Sequence, residues 1–213
     1  ILETHVHADH LSAAPYIQEA LGGKIGIGDR ITVVQETFGK VFNEGTRFQR
    51  DGSQFDRLFA EGDSLMIGQM RVDVMHTPGH TLESSCYLLY NEDGNPHCIF
   101  TGDTLFVGDV GRPDLSSGNL GSEELAGMLY DSLHNKLATL PDDVLVYPAH
   151  GAGSACGKNM AKETTDTLGH QKMVNYALQP NMTKAEFVQA VTDGLAEPPQ
   201  YFPKNAVLNK MGY

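Results

Sequence analysis

Residues 4–10 read Thr4-His5-Val6-His7-Ala8-Asp9-His10, and four of the last six side chains in that stretch are of metal-ligand type. His5 and His7 are two apart, so an extended backbone turns both imidazoles to one side. Asp9 and His10 follow where the strand-like Ile1-Leu2-Glu3-Thr4 gives way to a turn, and the bend brings a carboxylate and a third imidazole toward the same point. Imidazole and carboxylate together are what borderline and hard cations take. A histidine-rich surface turn could carry the same residue types, but it has no need of these offsets.

The rest of the chain supplies further ligands at the mouths of loops. His80 lies in Thr77-Pro78-Gly79-His80-Thr81, where Pro and Gly end an apolar strand, Val72-Asp73-Val74-Met75, in a tight turn. Asp103 closes Cys98-Ile99-Phe100-Thr101-Gly102-Asp103, and His150 closes Val144-Leu145-Val146-Tyr147-Pro148-Ala149-His150. Any one of these alone reads as an ordinary hydrogen-bonding turn residue. As a set, delivered from the ends of buried strands to one edge, they describe a rigid site.

Composition narrows the function classes. A chain of 213 residues can bury a sizeable core, and one domain with an appendage is the expected count. No apolar run approaches the ~20 residues that span a bilayer, and no basic segment precedes an apolar one, so the expectation is a cytoplasmic protein without membrane partners. Three scattered cysteines, Cys86, Cys98 and Cys156, make no disulfide framework and point to a reducing compartment. A net charge of -12 repels phosphate backbones and argues against nucleic acid as a partner.

The periodicity predicts a short helix from Ser12 as N-cap to Leu21, stopped by Gly22-Gly23, and a second over residues 31–42 with Ile31, Val34, Phe38, Val41 and Phe42 on one face. Residues 55–75 read as strands broken by Glu61-Gly62-Asp63 and Gly68-Gln69, and residues 91–95 as a hairpin loop. Ser122 is read as the cap of a long helix burying Leu125, Met128, Leu129, Leu133 and Leu137. Thr183-Lys184-Ala185-Glu186 is a capping box opening a helix to about Leu195, and residues 198–203 are proline-stiffened and extended.

His5, His7, Asp9, His10, His80, Asp103 and His150 match in order the metal motifs of the metallo-β-lactamase superfamily, which residues 1 to about 160 resemble. The resemblance implies an α/β (α+β) fold, a four-layer αββα sandwich with the metal at one edge of two packed sheets. It also implies that N-terminal strands preceding the motif are missing here, leaving an open edge and an uncovered core face. The corresponding division is a catalytic domain over 1–180 and a helix with a proline-rich tail over 181–213.

Two enzymatic branches of the superfamily fit. In the hydrolytic one, similar to glyoxalase II, His5, His7 and His80 hold one ion, Asp9, His10 and His150 the other, and Asp103 bridges; a zinc or other binuclear site attacks a thioester. In the oxidative one, similar to persulfide dioxygenases, one Fe(II) is held by His7, His80 and Asp103, and His5, Asp9, His10 and His150 orient ligands and relay protons. The flanks favour the second. Gly111-Arg112-Pro113-Asp114 and Ala8 within the first motif resemble persulfide dioxygenases, and residues 147–157, with His150-Gly151-Ala152-Gly153, resemble those fused to rhodanese domains, as does Asn209-Lys210-Met211-Gly212-Tyr213.

The resemblance thus implies an iron-dependent oxidation of a low-molecular-weight thiol persulfide by dioxygen to sulfite and thiol, with a fused or partner rhodanese and a homo-oligomeric assembly. Arg112 is the candidate anchor for a substrate carboxylate, with a plain salt bridge as the alternative. Cys156 is a candidate sulfur carrier or a small buried hydrophobe. His76, His97, His134 and His170 are read as structural. A third class, a non-catalytic sulfur-binding module, would need an incomplete ligand set.

Overall fold

The computed structural model describes residues 1–41, 49–115 and 120–211, with no side-chain description for 37–41. Phe42, expected to close the second helix, lies outside the described residues. The order is α1 (Ala14–Leu21), β1 (Gly26–Gly28), α2 (Ile31–Val41), β2 (Arg57–Phe59), β3 (Ser64–Ile67), β4 (Met70–His76), β5 (Ser85–Tyr90), β6 (Pro96–Gly102), α3 (Ser122–Asn135), β7 (Leu145–Pro148), β8 (Asp166–Thr167), α4 (Leu168–Val174), α5 (Lys184–Thr192) and α6 (Phe202–Met211).

Strands β3 to β8 form one six-stranded sheet in sequence order, antiparallel except for β6 and β7, which run parallel. Side-chain alternation gives that sheet two faces. Met75, Cys86, Leu88, Ile99 and Val146 face α3 and α5, whose Leu125, Leu129, Leu133, Phe187 and Val191 complete the main core. On the other face Val72, Val74 and Tyr87 meet Phe59 of β2. Strands β1 and β2 pair in parallel as a small second sheet, and Ile27 of β1 packs on Ile31 and Val34 of α2 and Ala206 of α6. The helix–sheet–sheet–helix order is therefore present, with only two short strands in the second sheet among the described residues. Past their reach the large sheet keeps an apolar groove of about 450 Å³, lined by Leu2, Val72, Tyr87, Leu89, Phe100 and Tyr147 among others.

Local signals place most elements, with informative offsets. The N-cap of α1 is Ala13 and not Ser12, whose hydroxyl accepts the Ala14 N–H at 3.0 Å from one position further out, and Gly22, at φ 76°, ends the helix. The cap of α3 is Gly121 and not Ser122, which is already helical and makes no capping bond. Leu125, Leu129 and Leu133 are buried on α3, while Met128 is only half-buried and Leu137 belongs to the 3₁₀ turn that follows. The capping box at Thr183 and Glu186 forms as read, but α5 stops at Thr192. The extended tail is shorter than expected, because α6 begins at Phe202 with Pro203 in its first turn, where a missing N–H costs nothing.

Candidate metal centre

The parallel pair β6 and β7 ends at one edge of the sheet, and the loops leaving it carry Asp103 and, two residues past Pro148, His150. His80 follows β4 across the Pro78-Gly79 turn. Gly79 has φ 152°, and a Cβ there would lie 2.3 Å from Leu129 of α3, so only glycine lets this turn seat against the helix. The first motif crosses the same edge. The Thr4 carbonyl accepts the Ser85 N–H at 2.9 Å, and its side chain sits where a Cβ on Gly102 would be, 2.6 Å away.

This seating decides which imidazole joins which group. His5 is laid against the ends of β5 and β6, and it forms a fully buried set with His80 and Asp103. His80 Nε2 lies 3.3 Å and His5 Nε2 3.8 Å from Asp103 Oδ2. The sequence reading placed His7 in this three-ligand set; the structure instead groups His7 with Asp9 and His150. His150 Nε2 stands 3.5 Å from Asp9 Oδ2 and 3.4 Å from Asp103 Oδ1, so the two groups adjoin through Asp103. His10 turns aside, its half-exposed ring 3.1 Å from Asp9 Oδ1 through Nδ1.

Burial makes these groups ligands in waiting. Both Asp103 oxygens, His7 Nδ1 and His150 Nε2 are buried without a hydrogen-bond partner in the structure, an arrangement that costs free energy unless something else satisfies them. A cation fits that donor set. Burial, reinforced by neighbouring histidines, drives the His5 pKa well down, and it pushes His80 to about 4, so both imidazoles are neutral with a free lone pair. Burial also lowers His150, against the pull of Asp9. Asp103 is raised well above the carboxylate range by burial and then by the Asp9 charge, which a bound cation would reverse. Burial raises Asp9 too, but the His10 hydrogen bond and the His150 charge outweigh it and hold it at about 2.

The supporting contacts fix ring orientation. His80 Nδ1–H donates to the Arg112 carbonyl at 2.7 Å, leaving Nε2 for the centre. Gly111 N–H donates to the Asp103 carbonyl at 3.0 Å. Arg112 itself is buried, and its guanidinium fork is taken: Nε and Nη2 donate to the two Asp114 oxygens at 2.7 and 2.8 Å, and other donors reach the carbonyls of Ala155 and Ala196. The salt bridge weighed beside the anchoring role of Arg112 is present. Cys156 lies buried beside Asp103 and His150, its thiol pushed up by burial and by the Asp103 charge. A thiol so held is a poor nucleophile.

Among the histidines read as structural, His76 meets the Phe59 carbonyl, His134 that of Ala177 and His170 the Asp166 carboxylate, while His97 is exposed. The sequence reading missed Glu83, which accepts the Val6 N–H at 3.0 Å, and Glu3, 3.5 Å from His7 Nε2. Neither had a spacing signal, because each is set by tertiary packing.

The sequence pattern of the metallo-beta-lactamase superfamily matches residues 1–150. The chain belongs to that superfamily. Superfamily relatives include a probable metallo-hydrolase of Burkholderia pseudomallei, 40% identical over 194 residues, covering 88% of this chain and 63% of the relative. Glyoxylase B2 of Dictyostelium discoideum is 36% identical, over 91% of this chain and 62% of its own. The persulfide dioxygenase ETHE1 of Homo sapiens is 31% identical over 70% of this chain and 47% of its own.

The chain thus spans about three fifths of the length of the first two relatives. Among solved structures, a Staphylococcus aureus metallo-beta-lactamase superposes with a TM-score of 0.79 at 30% identity, over 100% of this chain and 58% of its own. ETHE1 from Myxococcus xanthus does so with 0.73 at 28% identity, over 100% and 76%. The fold is the mixed α/β fold of this superfamily. Among the described residues no helix is long and apolar enough to cross a membrane.

Proposed function

We propose that this chain is the metal-binding core of an iron-dependent persulfide dioxygenase, oxidising a low-molecular-weight thiol persulfide to sulfite and thiol. The observation that carries the reading is the buried two-histidine, one-carboxylate set of His5, His80 and Asp103, with His10 turned away from the neighbouring group. A ferrous ion held by these three would activate dioxygen and leave open positions for the persulfide, whose sulfur would give up the electrons that dioxygen accepts. The chain's own groups do the rest. Asp9, ionised at neutral pH, stands 3.5 Å from the neutral His150, so His150 Nε2 can take up a proton with the Asp9 carboxylate stabilising the resulting imidazolium. Two sulfite oxygens come from dioxygen and the third from water, while the sulfur–sulfur bond breaks and the thiol leaves with a proton.

A second reading, a binuclear thioester hydrolase similar to glyoxalase II, draws on the group of His7, Asp9 and His150 and on the glyoxylase relative. One experiment separates them. The full chain, reconstituted anaerobically with ferrous iron and given a low-molecular-weight persulfide, is expected to consume about one dioxygen per sulfite. Zinc in its place should silence it, since zinc is not redox-active. His5→Ala is expected to abolish iron binding and His7→Ala, in the adjoining group, to weaken it. Rapid thioester cleavage by the zinc form, with no dioxygen uptake by the iron form, would establish the hydrolase instead.

A further inference from the structure

The turn that carries His7, Asp9 and His10 is held from the far end of the chain. Asn209, on α6, is 8% exposed, and its side-chain amide donates to the His7 carbonyl at 2.7 Å and to the His10 carbonyl at 2.8 Å. Its Oδ1 accepts the Ser12 N–H at 2.9 Å. Both amide hydrogens and the amide oxygen are thus spent on one short stretch of backbone. The two carbonyls bracket Ala8-Asp9, so their separation fixes the path of the turn. From the other flank Glu83 takes the Val6 N–H. The polar backbone groups of this irregular segment are satisfied by side chains rather than by a sheet or helix ladder, and that leaves its shape dependent on those side chains.

We propose that Asn209 is a positioning residue of the metal centre: from the last helix it sets the turn carrying His7, Asp9 and His10 so that the ligand groups are assembled before an ion arrives. The side chain touches no reacting atom. It acts through the backbone of the ligand segment, as groups behind first ligands do, where substitution commonly costs 10–100-fold in metal affinity. The inference rests on the reading of these residues as metal ligands and is independent of which reaction follows.

The test uses the full chain, freed of metal by chelation and titrated with Co(II) at buffered free concentration, with its visible absorption bands as the spectroscopic readout. Asn209→Asp is isosteric; it keeps the acceptor for Ser12 and replaces the donating nitrogen by an oxygen that faces both carbonyls. Asn209→Ala removes all three bonds. Asn205→Gly, one helical turn earlier and half-buried, loosens α6 without touching the turn.

At least tenfold weaker Co(II) binding is expected in both Asn209 variants, with altered bands and faster amide exchange at residues 7–12, while Asn205→Gly stays within twofold at a comparable loss of thermal stability. If Asn209→Ala does not fold, Asn209→Asp carries the test. Binding within twofold of the parent in the folded Asn209 variants, or an equal loss in Asn205→Gly, would overturn the proposal. Weakened Co(II) binding in a protein that forms no sulfite would overturn the dioxygenase reading and leave this inference standing.

Discussion

Gly111→Ala tests how tightly the loop after β6 is fitted to the metal centre. A Cβ at this position would stand 2.1 Å from the Asp103 carbonyl oxygen and 2.9 Å from His80 Nδ1. Non-bonded heavy atoms settle at about 3.5 Å, so the loop or the two ligands must retreat by roughly 1 Å. A misplacement of that size costs on the order of 10²-fold in rate. Forcing the extra methyl into a packed site costs about 1–3 kcal/mol, or a Tm lower by roughly 2–12 °C for a chain of this length. The assay pairs metal content per folded chain and turnover with a thermal melt. Gly151→Ala is the control, because it adjoins His150 yet its added methyl would meet nothing within 4 Å. Parent-like metal loading and turnover in Gly111→Ala, or an equal loss in Gly151→Ala, would refute the argument.

Three further outcomes follow from the same geometry. Arg112→Ala is expected to cost about 3 kcal/mol in urea unfolding, the low end for a broken buried pair because Asp114 is partly exposed, and to affect charged and uncharged persulfides alike; a KM rise confined to charged substrates would restore the anchoring role. In the metal-free protein His80, ordinarily near 6.5, is held at about 4, so the unfolded chain takes up that proton first and stability falls as pH drops from 6.5 to 4, by up to about 1.4 kcal/mol per pH unit. Asp103 has the opposite sign, stabilising below 3.8 and losing that contribution as pH rises; His80→Gln should therefore flatten the acid limb of the urea-derived stability profile, and an unchanged limb would count against a neutral His80. Thr183→Ala should remove the capping box of α5 for about 1 kcal/mol without changing metal affinity, and a melt unchanged within error would show the box to be idle.

What was legible in the sequence is what depends on local offsets. The candidate ligand residues stood out because imidazoles and carboxylates so closely spaced at strand ends have few other uses. The helices at residues 31 and 184 were legible through apolar spacing and a reciprocal cap. The exchange of His5 for His7 in the buried three-ligand set was not, because it turns on Thr4 resting over Gly102 and against Ser85, contacts with partners some 80 to 100 positions away. The Arg112–Asp114 pair was within local reach, two residues apart with the Pro113 turn folding one onto the other. Ser122 missed by one position, since a glycine in extended conformation begins a helix only slightly less well than a serine does.

The span of the Asn209 contacts carries a consequence for biosynthesis. About 200 positions separate the histidine turn from the amide that braces it. At 5–20 residues per second, the turn therefore leaves the ribosome roughly 10–40 s before its brace exists. During that interval the nascent chain presents its histidines on an unbraced loop, and it is a weaker trap for whatever cation the cell offers. If Asn209 positions the turn as proposed, metal selection would await the docking of α6.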